Sequence, residues 1–249
     1  MNSATKSFGI TNVGPVRANN EDCLLHDDAL SLYVVTDGMG GHAAGEVAAH
    51  LAVEAIHEFI RSGEPSVRSE PGVSVSSNRL RAAIERANDR VHAAAVENPE
   101  YSGMGTTVVC ALADGPNVSI GHVGDSRLYL LSHGVLTVQT QDDTWAATLL
   151  ANGAVDVTAI AEHQMRNVLT NVLGAREQTE VHIAERRLQR GDMLLLCTDG
   201  VHGVVDDETL CELMSQKAGL EEIARSLIAM SFERGTRDNV TVVVVRYEG

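Results

Sequence analysis

The run Val240-Thr241-Val242-Val243-Val244-Val245 has no wet side. β-Branched residues in succession favour an extended strand, where their stiff side chains pack well. Side chains of a strand alternate between its two faces. A run that is apolar on both faces must be covered on both, so it cannot belong to a sheet with one solvated side. Leu32-Tyr33-Val34-Val35-Thr36 and Met193-Leu194-Leu195-Leu196-Cys197-Thr198 read the same way. Further strands are expected at residues 7–12, 106–112, 118–123, 128–131, 135–138 and 181–186.

Two segments change period. Ala44, Val47, Ala48, Leu51, Ala52, Ala55, Ile56, Phe59 and Ile60 recur at helical spacing, as do Leu80, Ala83, Ile84, Ala87, Val91 and Ala94. Between them, SGEPSVRSEPGVSVSS is polar and rich in turn residues, and reads as a surface loop. A second helix pair is expected near 207–216 and 220–232. Residues 142–174 break the β pattern with short helical pieces, from Asp142 and Asp143 to stops at Gly153 and Gly174. The order is strands, two helices, strands, an inserted segment, strands, two helices, strand. Buried strands and two amphipathic helix pairs predict two stacked sheets with a helix pair on each outer face.

Composition narrows the function. The chain is 44% hydrophobic but 3% aromatic, so its core is aliphatic. Thirty-four Asp and Glu against nineteen Lys and Arg leave a formal charge of −15. That argues against nucleic acid or an anionic membrane as the main partner. Such acidity serves solubility in many proteins; it also suits carboxylates that gather around cations. Cys23, Cys110, Cys197 and Cys211 form no CxxC pair and read as thiols in a reducing compartment. MNSATKSFGITNVG has no apolar signal core, and no run approaches the roughly 18 residues of a membrane span. A cytoplasmic protein is expected, and a monomer.

Four aspartates stand at the ends of apolar runs: Asp37 and Asp199 in the shared context Thr-Asp-Gly, Asp125 in Val123-Gly124-Asp125-Ser126, and Asp238 in Arg237-Asp238-Asn239. A single Asp-Gly after a strand is ordinarily a turn. Four on one rim of a sandwich would repel one another unless cations lie among them. Mg²⁺ and Mn²⁺ prefer such oxygen ligands. Two ions about 3.5–4 Å apart can share and acidify a bridging water and clamp a phosphoryl group. Gly38, without a side chain, would let its carbonyl approach a metal. Arg17 is suited to hold phosphate oxygens, and Glu21 and Asp22 to support metal-bound waters.

The ordered motifs GPVRANNED, VVTDGMGGHAAGE, GMGTTVV, HVGDSRLYLL, LLLCTDG and RDNVTVVVV resemble the bacterial branch of the metal-dependent protein phosphatases of type 2C, from about Phe8 to Arg246. The resemblance implies an α+β fold, an αββα sandwich of two mainly antiparallel sheets with a helix pair on each side. It implies one catalytic domain over 1–249 with a flap subdomain at about 142–178. It implies hydrolysis of phosphoserine and phosphothreonine in proteins by a bridging metal-bound water, opposing a bacterial Ser/Thr kinase. The implied cofactors are two catalytic Mn²⁺ or Mg²⁺ ions and a weaker third. Asp37 would bridge the pair, the Gly38 carbonyl would bind the second ion, and Asp199 and Asp238 the first. Asp125 would serve the third ion, Arg17 the phosphate, Glu21 the second ion through water, and Asp22 a water ligand.

Two places depart from the family pattern. Met39 follows the first Asp-Gly where animal members carry a histidine, so no leaving-group acid is carried over, and His42 reads as a surface residue. His163-Gln164-Met165-Arg166-Asn167 differs from the His-Pro-x-Arg-Ser of many bacterial members. Cys197 shares a strand face with Asp199 by parity but reads as a buried thiol, and His122 as a side chain that is packed or supports the site from behind Asp125. Gly38-Met39-Gly40-Gly41 lacks the Lys-Ser/Thr of a nucleotide-binding loop. A competing reading is a catalytically weak member acting as a metal-dependent binding or regulatory module. Another is a regulator of one small switch protein, though such members usually carry sensor domains.

Overall fold

The structure, a computed structural model, describes residues 4–40, 44–64, 71–151, 153 and 163–249. One sheet runs β1 (Thr5–Asn12), β11 (Val240–Tyr247), β10 (Met193–Cys197), β7 (Arg127–Ser132), β8 (Val135–Val138). The other runs β2 (Asp22–Asp27), β3 (Leu32–Met39), β5 (Val108–Asp114), β6 (Asn117–Val123), β9 (His182–Arg187). The two-residue β4 (Gly105–Thr106) pairs with the end of β3. All pairings are antiparallel.

The closing strand behaves as its composition demands. Val243, Val245 and Tyr247 face the other sheet, with Tyr33, Val35 and Val109 of that sheet and Leu194 and Leu196 of neighbouring β10 in the same cluster. Val240, Val242 and Val244 face the opposite way and join a helix-covered cluster. That cover comes from α5 (Asp207–Met214) and α6 (Leu220–Glu233), through Leu210, Ile223 and Leu227. On the far side α1 (Ala44–Ser62) and α2 (Val75–Glu97) cover Leu32, Val34, Val108 and Cys110. The molecule is an αββα sandwich of the expected class. Each fully buried Val or Leu side chain contributes about 1.5–3 kcal/mol of transfer free energy, so the three apolar layers supply the drive to fold.

Three expectations are corrected. Residues 22–27 form β2, a strand the sequence hid: Leu24 and Leu25 lie between acids at both ends. The loop before the second helix is shorter than read, because α2 starts at Val75 under the cap Ser74, whose hydroxyl accepts from the Ser77 amide. The strand read at 106–112 is broken in two at Thr107. In the inserted segment a single described helix, α3 (Trp145–Ala151), is followed by chain that returns along it. There Thr144 pairs with Leu169, and Leu173 with Thr106. His42 and residues 154–162 of the expected flap lie outside the described residues.

Candidate active site

The ends of both sheets meet at one rim, and the topology explains why. β10 and β11 are neighbours, so Asp199, two residues past one strand, and Asp238, two residues before the other, fall at the same end. Asp22 and Asp37 face each other in the β2–β3 register. Asp125 leaves β6 at that end too. A cavity of about 280 Å³ is lined by Arg17, Glu21, Asp37, Gly38, Asp125, Asp199 and Asp238, with Met39, Thr107, Asn167 and Asn239 among the other walls. Seven of the eight residues singled out from sequence thus share one cavity. The eighth, Asp22, is buried and is not among the wall residues.

The two Thr-Asp-Gly copies are not structural twins. Asp37 lies within β3, which runs on to Met39, whereas Asp199 opens a one-turn helix, α4 (Asp199–His202). Strand parity therefore stops before Asp199. Cys197 packs in the cluster beneath α5 and α6, and burial pushes its thiol pKa up, so it is a core thiol. What the copies share is a crowded glycine. A Cβ on Gly38 would sit 2.1 Å from the Gly45 carbonyl oxygen and 2.7 Å from that of Glu21. One on Gly200 would sit 1.9 Å from the Asn239 carbonyl oxygen.

Asp22 joins the two sheets beneath the cavity. It stands on β2, yet its Oδ2 accepts from the hydroxyls of Thr198 (3.0 Å) and Thr241 (2.6 Å) on the opposite sheet. Its Oδ1 is buried without a hydrogen-bond partner, and so is Oδ1 of Asp199. An unpartnered buried carboxylate oxygen is costly, and a cation is the usual remedy. Asp37 is held by Thr107, which accepts from the Asp37 amide at 3.0 Å and donates its own amide to the Asp37 carbonyl at 2.9 Å. Asn239 spans three segments: its Oδ1 accepts from the Glu21 amide, and its Nδ2 donates to the carbonyls of Val13 and Asn19. Arg17 meets Asp238 at 2.6 Å, and both side chains stay accessible.

The carboxyl groups of the cavity outnumber its one arginine. Desolvation first, and neighbouring carboxylates next, push Asp37 well above the usual range. Desolvation lifts Asp22 and Asp125 to about 7. Asp199 is raised by burial and by Asp238, and a hydrogen bond with Asp37 pulls it back down. Glu21 is raised by burial. Acids gathered this way fit divalent cations: the donors are all oxygen, and two buried oxygens lack partners. The thiols offer no alternative ligand set, since burial lifts Cys23, Cys110 and Cys197 well above a thiolate-forming range.

Several supporting residues went unread in the sequence. Thr107, Thr198, Thr241 and Asn239 hold the acids; the available signal was a polar residue beside or inside an otherwise apolar run. His202 was missed as well. Its Nε2 meets the Asp125 carbonyl at 3.0 Å, and burial lowers its pKa to about 4, which keeps it neutral and donating. It lines a second cavity of about 570 Å³ that shares Asp125, Asn167 and Asp199 with the first. Of the two readings of His122 the structure shows the packed one: it is buried and stacked on His182, with ring centroids 4.9 Å apart.

A family model described as protein phosphatase 2C matches residues 17–237. The chain belongs to this family. It is 38% identical over 231 residues to the serine/threonine protein phosphatase PstP of Mycobacterium tuberculosis, covering 93% of this chain and 43% of that protein. It thus spans less than half the length of that relative. It is 33% identical over 238 residues to the serine/threonine phosphatase stp of Listeria monocytogenes, covering 94% of this chain and 93% of that one. Among solved structures, that of M. tuberculosis PstP/Ppp superposes with a TM-score of 0.87 at 36% identity, over 98% of this chain and 99% of that one. The catalytic domain of PstP in complex with two manganese ions gives 0.83 at 36% identity, with the same coverage.

Proposed function

We propose that the chain hydrolyses phosphoserine and phosphothreonine in proteins, with divalent cations held in the acid-lined cavity. The observation that carries the reading is the pair of buried, unpartnered Oδ1 atoms of Asp22 and Asp199 beside a cavity walled by five further carboxyl and carbonyl donors and one arginine. Asp37, Asp199, Asp238 and the Gly38 carbonyl are the candidate ligands of two ions, and Asp125 of a weaker third. Glu21, in the cavity wall, supports the second ion through water, and Asp22 supports a water ligand from beneath. When bound, Mn²⁺ or Mg²⁺ supplies an acidified bridging water and a clamp on phosphoryl oxygens.

The remaining work falls to the chain's own groups. Arg17, on the accessible lip, is placed to take phosphate oxygens through its planar guanidinium. Thr107 and Asn239 keep the Asp37 and Glu21 backbones fixed, so the acids need little reorganisation when charge changes. The substrates are phosphorylated proteins, and the reading makes the chain the counterpart of a bacterial Ser/Thr kinase, working as a monomer in the cytoplasm. The manganese-bound relative supports the metal assignment by likeness. Among the described residues no helix is long and apolar enough to cross a membrane.

The test is release of phosphate from a phosphothreonine peptide by chelator-stripped protein. Added Mn²⁺ is expected to switch turnover on, and excess chelator to remove it. Full turnover in excess chelator would sink the reading.

A further inference from the structure

The inserted segment reaches the site through its return arm. Its return arm places Asn167 and Leu169 in the wall of the acid-lined cavity. That arm lies along the start of α3, where the Trp145 amide donates to the Val168 carbonyl at 2.8 Å. Both strands of the segment are rooted at Asp143. Its carbonyl accepts from the Thr170 amide at 2.8 Å, and its Oδ2 accepts from the Asn171 side-chain amide at 2.8 Å.

The same side chain also grips the turn that carries Asp125. Oδ2 accepts from the Gly124 amide at 3.0 Å, and the Asp143 amide donates to the Gly124 carbonyl at 3.0 Å. Oδ1 accepts from Nε2 of His182 on β9 at 2.9 Å. Only 14% of the side chain is exposed. Gly124 has little room to relax: its φ is +97°, and a Cβ there would sit 2.7 Å from Thr107. From the turn the connection continues inward. Ser126 meets the Thr107 hydroxyl at 2.7 Å, and Thr107 holds Asp37.

We propose that Asp143 is a positioning residue that ties the arm bearing Asn167 and Leu169 to the Gly124–Asp125–Ser126 turn, so that the cavity wall and the carboxyl of Asp125 are placed together. Each end has further anchors, the arm through Leu173 on Thr106 and the turn through Ser126 on Thr107, but Asp143 joins the two directly. The arm's root and the turn share one carboxylate, and a change at either is transmitted to the other through hydrogen bonds of ordinary length. An aspartate is required because three N–H donors converge on its two oxygens, whereas an asparagine would offer one acceptor oxygen and turn an NH2 donor toward the remaining N–H. The inference rests on the cavity being a divalent-cation site.

The experiment compares wild-type protein with Asp143→Ala and Asp143→Asn, each checked for folding by circular dichroism. Amide hydrogen exchange is read at Gly124 and Thr170, Mn²⁺ binding by calorimetry, and turnover on p-nitrophenyl phosphate beside a phosphothreonine peptide. Both amides are expected to lose protection together, although the partner of Thr170 is a backbone carbonyl that the substitution leaves in place. The weakest Mn²⁺ site is expected to lose roughly 10–100-fold in affinity, as when a residue supporting a ligand is removed. kcat/KM for the peptide should fall further than for the small ester. A lowered Tm with unchanged Mn²⁺ affinity and unchanged kcat/KM on both substrates would reduce Asp143 to a structural tie and overturn the proposal. If the alanine variant does not fold, the asparagine variant carries the same readouts. Wild-type protein that binds no Mn²⁺ would instead refute the cation site, while the exchange at Gly124 and Thr170 still decides the coupling.

Discussion

At Gly38 and Gly200 a single methyl group would enter the van der Waals shell of a backbone carbonyl. Neither Gly45 nor Asn239 can turn its carbonyl aside without moving its own segment. Gly38→Ala and Gly200→Ala are therefore each expected to cost at least about 1–3 kcal/mol, read as a lowered urea midpoint; an unchanged midpoint would contradict the close approach. The sequence suggested a different reason for Gly38, access of its carbonyl to a metal, because tertiary crowding leaves no local signature. The buried acids make a second residue-scale prediction. Folded Asp125 titrates near 7, against 3.8 when free of the fold. Between those values the folded state binds more protons, so this group's contribution to stability falls as pH rises and is fully lost above about 7. In chelator-stripped protein, Asp125→Asn is expected to raise Tm at pH 8 and to leave it nearly unchanged at pH 3.5. A stability difference of 1 kcal/mol moves Tm by roughly 2–4 °C in a chain of this size, which scanning fluorimetry resolves. A lower Tm for the variant at pH 8 would show that the carboxyl is already compensated without metal.

Among the elements, β10 and β11 carry the strongest claim, that both faces are covered. Leu195 lies under the helices and Leu196 between the sheets, and both are fully buried. Leu195→Ala and Leu196→Ala should each cost about 2–5 kcal/mol in chemical unfolding. A strand with one wet face would show that cost at only one of the two. These strands were legible because apolar runs with no polar phase have few other homes. β2 was not, because an edge strand of six residues with acids at both ends carries too little periodicity. The acids themselves were legible as four strand-end aspartates, and the structure brings all four to one cavity. Asn239 was not, and Asp22 was read as a support without its cross-sheet contacts, because both act across the sandwich on residues separated by about two hundred positions. Asp22 stood next to Glu21 in sequence, yet one lines the cavity and the other ties the sheets beneath it.

Over the whole molecule the site lies where two independent sheets end, and Asp22 crosses between them. Cations bound there would hold both sheets, so binding should stabilise the folded state as a unit. At a Mn²⁺ concentration 100 times the dissociation constant the gain is about 2.7 kcal/mol, or roughly 5–10 °C in Tm. A melting curve indifferent to Mn²⁺ and chelator would contradict a site formed by the fold. The central claim is that the gathered aspartates are the catalytic apparatus. It is tested most directly by the rate of phosphate release from a phosphothreonine peptide at saturating Mn²⁺, measured for wild type and Asp199→Asn. Asp199 is the acid with a buried, unpartnered oxygen in the cavity wall, and its loss is expected to slow turnover by roughly 10²–10³-fold, about 3–4 kcal/mol of barrier. A folded Asp199→Asn protein that turns over at the wild-type rate would contradict it.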